Sequence, residues 1–174
     1  GIKANTNLAQ AGLFGTINTG ATVQKVAVKV TSNGIASTAT GAPSTAGAIA
    51  AVNKGTIKQC YVTGDGTVLS ADGSDSYAGG IAGDNSGTIS DCYNLTSVKV
   101  EKGSNAYAGG IAGHNTGTVE YCFAAGEVST NAGAVVNSLS IPAEAAGGIV
   151  GFNDSENTGV VKNCLALNSF LSLE

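Results

Sequence analysis

The sequence predicts an all-β fold, a right-handed parallel β-helix with three sides and about five coils, and three observations carry that expectation. A glycine-rich apolar phrase leading to an Asn, a Gly-Thr-Ile or Gly-Thr-Val step and a Cys recurs along the chain. Its clearest copies are Ala78-Gly79-Gly80-Ile81-Ala82-Gly83-Asp84-Asn85 followed by Ser86 to Tyr93, and Ala108-Gly109-Gly110-Ile111-Ala112-Gly113-His114-Asn115 followed by Thr116 to Phe123. The anchor positions Phe14, Ile49, Ile81, Ile111 and Ile149 lie 35, 32, 30 and 38 residues apart, so the columns persist while loops vary in length. Finally, 26 Gly with abundant Thr, Val and Asn oppose helical repeats, which need Leu and Ala at 3.6-residue spacing.

Four residues after each anchor stands an Asn, namely Asn18, Asn53, Asn85, Asn115 and Asn153. Such a column predicts a ladder of side-chain amides at a corner whose tight backbone is left-handed, a conformation that Asn and the flanking glycines tolerate. The next step carries Ala21-Thr22-Val23, Gly55-Thr56-Ile57, Gly87-Thr88-Ile89, Gly117-Thr118-Val119 and Gly159-Val160-Val161. Three residues later come Val26, Cys60, Cys92, Cys122 and Cys164, a buried column. The third run of each unit is Val28-Lys29-Val30, Thr67-Val68-Leu69, Val98-Lys99-Val100, Glu127-Val128-Ser129 and Ser169-Phe170-Leu171. Three short runs per unit, stacked in parallel about 4.8 Å apart, describe the solenoid. The absence of Trp argues against a propeller.

The phrases Ala11-Gly12-Leu13-Phe14-Gly15, Gly79-Gly80-Ile81-Ala82-Gly83 and Gly109-Gly110-Ile111-Ala112-Gly113, each leading to Asn and then Cys, resemble the GLUG motif of bacterial extracellular proteins. The resemblance spans about residues 8 to 171, with departures at Ala50-Ala51-Val52 and at an insertion from Asp154 to Asn157. It implies a β-helical, adhesin-like segment of a larger secreted or cell-surface protein, a type also found beside the protease domain of immunoglobulin-cleaving enzymes. The motif carries no settled catalytic constellation, so no active-site residue transfers.

Composition is consistent with one domain over residues 1–174, with 43% apolar and only 11% charged residues. The 8 basic residues are all Lys, against 12 acidic, a net charge of −4 that gives nucleic-acid binding little support. The N-terminus has no signal-peptide pattern and no stretch reaches transmembrane length, which predicts a mature or excised segment with no membrane insertion of its own.

The Cys column predicts free thiols over disulfides, because parallel in-register Cβ atoms sit farther apart than the roughly 3.8 Å a disulfide prefers. No Cys-x-x-Cys pair exists, and the lone His114 aligns with Ile17, Val52, Asp84 and Phe152, a mixed column that reads as surface; no metal or cofactor is expected. Asp72-Gly73-Ser74-Asp75-Ser76 has the alternating oxygens of a calcium loop but no bidentate Glu, and reads as an ordinary polar loop. Asp91 and Glu120 are read as column mates on neighbouring turns, the carboxylate pair that a carbohydrate-active β-helix lyase or hydrolase would need about 5 to 9.5 Å apart. A Thr column of Thr22, Thr56, Thr88 and Thr118 raises ice binding, for which two such columns would be wanted.

Aromatic placement carries the functional expectation. Tyr61, Tyr93 and Phe123 follow the Cys and should point outward by strand alternation, while Tyr77 and Tyr107 precede Ala-Gly-Gly. These five are the candidate contacts for a host glycan or an extracellular matrix protein, in a non-catalytic adhesin-like or spacer module. Loops Ser70 to Ser76 and Glu101 to Asn105 folding over the rings would instead make them packing.

Overall fold

A computed structural model describes residues 8–131, 144–154, 156, 158–169 and 171–173. It is an all-β parallel solenoid of about four coils, and no α-helix occurs among the described residues. Strands form five sheets of five parallel rungs each. In chain order the second rung contributes Ser44–Gly47, Ala50–Asn53, Thr56–Lys58, Tyr61–Gly64 and Thr67–Ser70 to the first through fifth sheets. The expected three runs per unit are therefore five strands. The two missed ones flank corners and are as short as Tyr93–Asn94, too brief to show an alternating pattern.

Copy one is also offset from the sequence alignment. Phe14 pairs with Ala50 and Ile17 with Asn53, so Asn18 lies beyond the ladder position. Likewise Val28-Lys29-Val30 stacks on Val62-Thr63-Gly64 in the fourth sheet, and Ile35–Ser37 supplies the first rung of the fifth. Phe170, assigned to the third run of copy five, lies outside the described residues.

The interior is a set of apolar columns. Ile49, Ile81 and Ile111 are fully buried, as are Ile57, Ile89 and Val119 and, in the fifth sheet, Val68, Val98 and Val128. Burying one such side chain contributes about 1.5–3 kcal/mol, and each turn adds several. A solenoid turn has few alternatives for covering this surface, because the rungs above and below are its only large neighbours.

The motif glycines serve close approach. A Cβ on Gly79 or Gly109 would stand 1.8 or 1.9 Å from the carbonyl oxygen of Ala82 or Ala112 across the corner between the first and second sheets. Gly83 and Gly113 face the backbone of Ala46 and Ala78 in the same way, while Gly80 meets the Asn94 side chain on the interior side. The first two sheets thus fold onto each other backbone against backbone, which no side chain would permit. None of these five glycines has positive φ, so the left-handed licence expected of them is not what selects glycine here.

Gly109→Ala should destabilise by more than about 3 kcal/mol or prevent folding, since the neighbour that its Cβ would meet is the Ala112 backbone, which cannot yield. Gly41→Ala, at φ +73° with nothing within 4 Å, should cost only about 1–2 kcal/mol. Urea denaturation of the two variants checks the contrast, and equal losses would contradict the close-packing account.

Candidate functional site: ladders on the inner and outer faces

The asparagine ladder runs through the interior. The amide Nδ2 of Asn53 donates to Oδ1 of Asn85, Asn85 to Asn115, and Asn115 to Asn153, each at 2.7 Å. Asn53, Asn85 and Asn115 are fully buried. Each also donates to the carbonyl two residues on, and Asn53 Oδ1 accepts from the Gly55 N–H at 3.2 Å. Ile17, 4% exposed, occupies the rung before Asn53, so the ladder begins at Asn53 with an apolar cap and Asn18 takes no part.

The left-handed corner lies elsewhere. Lys25, Gln59, Asp91, Tyr121 and Asn163 all have φ between 52° and 57°, one column between the third and fourth sheets. None is glycine, so each carries a conformational cost of about 1–2 kcal/mol that the stacked rungs enforce. The cysteine that follows explains its own residue type. Its thiol donates back across the corner to the carbonyl two residues earlier, Cys60 to Lys58 at 3.2 Å, Cys92 to Ser90 at 3.0 Å, Cys122 to Glu120 at 3.2 Å and Cys164 to Lys162 at 3.3 Å. Val26 fills the slot in copy one without that bond. The four thiols are free, three of them buried and Cys164 partly exposed. The neighbouring thiol in the column and burial push the Cys60 thiol up, and Cys92 is raised to about 12, led by its contact with Cys122.

Two aromatic groups decorate the outside. Tyr61, Tyr93 and Phe123 stack with centroids 5.0 and 4.9 Å apart and planes within 6° and 10°. Tyr61 is 39% exposed and the other two are half-buried. Tyr77 and Tyr107 stack at 5.4 Å but do not form an exposed stripe, because Tyr107 is only 3% exposed. They share a cluster with His114, 5.1 Å from Tyr77, and with Phe152, 4.9 Å from Tyr107. Burial first, and the Asp75 carboxylate second, raise both phenols above their ordinary range. His114 Nδ1 lies 2.9 Å from Asp84 Oδ1. His114 is thus an integrated member of this cluster, which its mixed column concealed because a single-copy residue leaves no repeat signal.

The carboxylate pairing changes with the register. Glu120 is the column mate of Ser90 and Lys162, and it binds Lys162 at 3.0 Å, whereas Asp91 sits in the left-handed column. Asp72 accepts from Lys102 and Thr40, each at 3.3 Å, and Asp75 accepts from Asn105 at 2.7 Å, so the two acids of that loop turn to different partners. Among the described residues no group of three His, Cys, Asp or Glu could hold a metal ion, and no helix is long and apolar enough to cross a membrane. The Thr column is in register from Thr22 to Thr118 and ends at Val160. The column beside it holds Gln24, Lys58, Ser90, Glu120 and Lys162, so no second Thr row accompanies it.

The family described as the GLUG motif matches residues 104–129, which span the fourth rung from Ser104 through the left-handed corner and Cys122. This segment carries the GLUG motif. No curated protein and no solved structure matched the chain. Within the matched GLUG segment, Gly109, Gly110 and Gly113 make the sheet-on-sheet and interior contacts, Asn115 the ladder and Cys122 the corner. The motif is a structural repeat of a β-solenoid.

Asn85→Ala strands the buried Asn53 donor and Asn115 acceptor and should cost about 3–5 kcal/mol, whereas exposed Asn18→Ala should stay within about 0.5 kcal/mol. Chemical denaturation checks both, and comparable losses would restore Asn18 to the ladder. A second test concerns the thiols. Cys60 and Cys92 hold their protons in the folded state above the ordinary 9.0 at which the unfolded thiols release them, so stability should fall as pH rises beyond about 9. Maleimide labelling of the native protein should reach Cys164 first, with four thiols titrating after unreduced denaturation; early labelling of Cys92 would refute the packing.

Proposed function

We propose that this chain is a non-catalytic extracellular module of a bacterial surface protein, adhesin-like, that spaces and presents binding features recognising a glycan or a matrix protein. In this reading the coil is right-handed, the hand that parallel strands joined by crossovers adopt, and its five strands per turn wrap three sides. The observation that carries the proposal is the outward ladder of Tyr61, Tyr93 and Phe123 on a rod whose interior is wholly committed to packing. Exposed aromatic surface on a rigid scaffold is a recurrent means of holding sugars and protein partners. The GLUG motif supports a structural role, and the alternative of a carbohydrate-active enzyme loses its paired acids, since Asp91 and Glu120 occupy different columns and Glu120 is neutralised by Lys162.

The domain, immobilised and screened against a glycan array and a panel of matrix proteins, should retain at least one ligand. Tyr61→Ala with Tyr93→Ala should weaken that binding at least about tenfold while the β-sheet circular-dichroism signal persists. Hydrolysis or elimination of a polysaccharide by the purified domain would overturn the non-catalytic reading.

A further inference from the structure

The stacked rings present an asymmetry that identifies one subsite. Rings lying within 10° of parallel and about 5 Å apart cover one another's faces, so a sugar cannot lie flat on Tyr93. Beyond Phe123 the column continues with Leu165, an aliphatic side chain, on the next rung. Toward the first rung the column partner of Tyr61 is Ala27, an exposed residue with a side chain of one carbon. One ladder position is thus empty of a ring. Among the described residues no ring lies on the second face of Tyr61, which stands one rung from Ala27, a separation of about the thickness of a single ring.

The charge around that gap is of one sign. Lys29 is two residues beyond Ala27 on the same outward face of the strand, and Lys25 is exposed at the left-handed corner two residues before it. Lys58 and Lys54 stand on the adjoining rung, and none of these four forms an ion pair among the described residues, whereas Lys99, Lys102 and Lys162 all do. Of the 12 acidic residues in the chain, only Asp65 falls between residues 8 and 71. The first two rungs are therefore basic on an acidic rod, and lysines free of acidic partners keep their full attraction for an anion.

We propose that the Tyr61 face above Ala27 is a subsite for one anionic pyranose, a uronate or a sulfated sugar, stacked on the phenol ring with its charge held by Lys29 and Lys25. This rests on the glycan-binding reading above and narrows it to a sugar class and a place. The ligand ring completes the aromatic ladder, taking the position that Ala27 leaves open. Stacking selects a flat apolar sugar face, and the lysines select its charge.

Titration calorimetry of the domain with tetragalacturonate, its fully methyl-esterified form and a chondroitin sulfate tetrasaccharide tests the assignment. At least one of the two anionic probes should bind, the esterified probe at least about tenfold more weakly, and the better anion names the group that the lysines prefer. Ala27→Phe fills the gap with a ring of the protein's own; it should raise the thermal midpoint and abolish binding together, which a misfolded variant would not do. Lys25→Gln with Lys29→Gln should abolish the preference for charge. Equal binding of the esterified probe, or unchanged affinity in Ala27→Phe, would overturn the subsite. Binding of neutral glycans alone on an array would overturn it while leaving the broader function intact, and no glycan binding at all would remove the glycan reading with it.

Discussion

Backbone lying directly on backbone at the corner between the first and second sheets is the constraint on which this architecture depends. Gly79 and Gly109 bring the carbonyls of Ala82 and Ala112 to a separation that leaves no room for a Cβ, and Gly83 and Gly113 repeat the contact one strand later. That fold-back brings Tyr77 and Tyr107 of the first sheet against His114 and Phe152 of the second. It also turns Ile81 and Ile111 into the core, where they are fully buried. A larger residue at the glycine column would open the corner, and the interior columns would lose their neighbours at the same time.

Two devices then hold the next two corners, one each. The asparagine ladder satisfies interior backbone groups while linking one turn to the next, so its bonds act along the rod axis and within the turn at once. The thiol does the complementary task at the left-handed column, where the backbone is costly and a carbonyl needs a second donor. A sulfhydryl is small enough to be packed as an apolar group and still donates weakly, a combination that neither Val nor Ser supplies. The column is accordingly Cys in four copies, with Val26 in the first.

Much of this was legible because stacking turns a sequence period into spatial adjacency. The columns of Ile, Asn and Cys from the second copy onward appear in the register that their spacing implied. Copy one misled because Asn18 mimics the motif at a position where two extra residues have shifted the turn and Ile17 takes the rung. The left-handed column was hidden for a different reason. Lys25, Gln59, Asp91, Tyr121 and Asn163 share a backbone conformation imposed by their neighbours and no side-chain chemistry. Tyr107 could not be judged buried from its own repeat, since the ring that covers it is Phe152 of the next turn.

The division between inner and outer columns bears on how a binding surface arises on such a rod. An interior position answers to two neighbours in its column and to facing sheets, so Ile89 or Asn85 has almost no freedom. An outward position answers mainly to its column mates, which is why one column can read Ala27, Tyr61, Tyr93, Phe123, Leu165 without disturbing the coil. Ring stacking within that column stabilises adjacent rungs but consumes the faces that a ligand would use. On the glycan-binding reading proposed above, a stacking ligand would find an open ring face only where the stack is interrupted, and the interruption here is a single small residue, Ala27. Under that proposal, specificity would be set by where the ladder stops rather than by how far it runs.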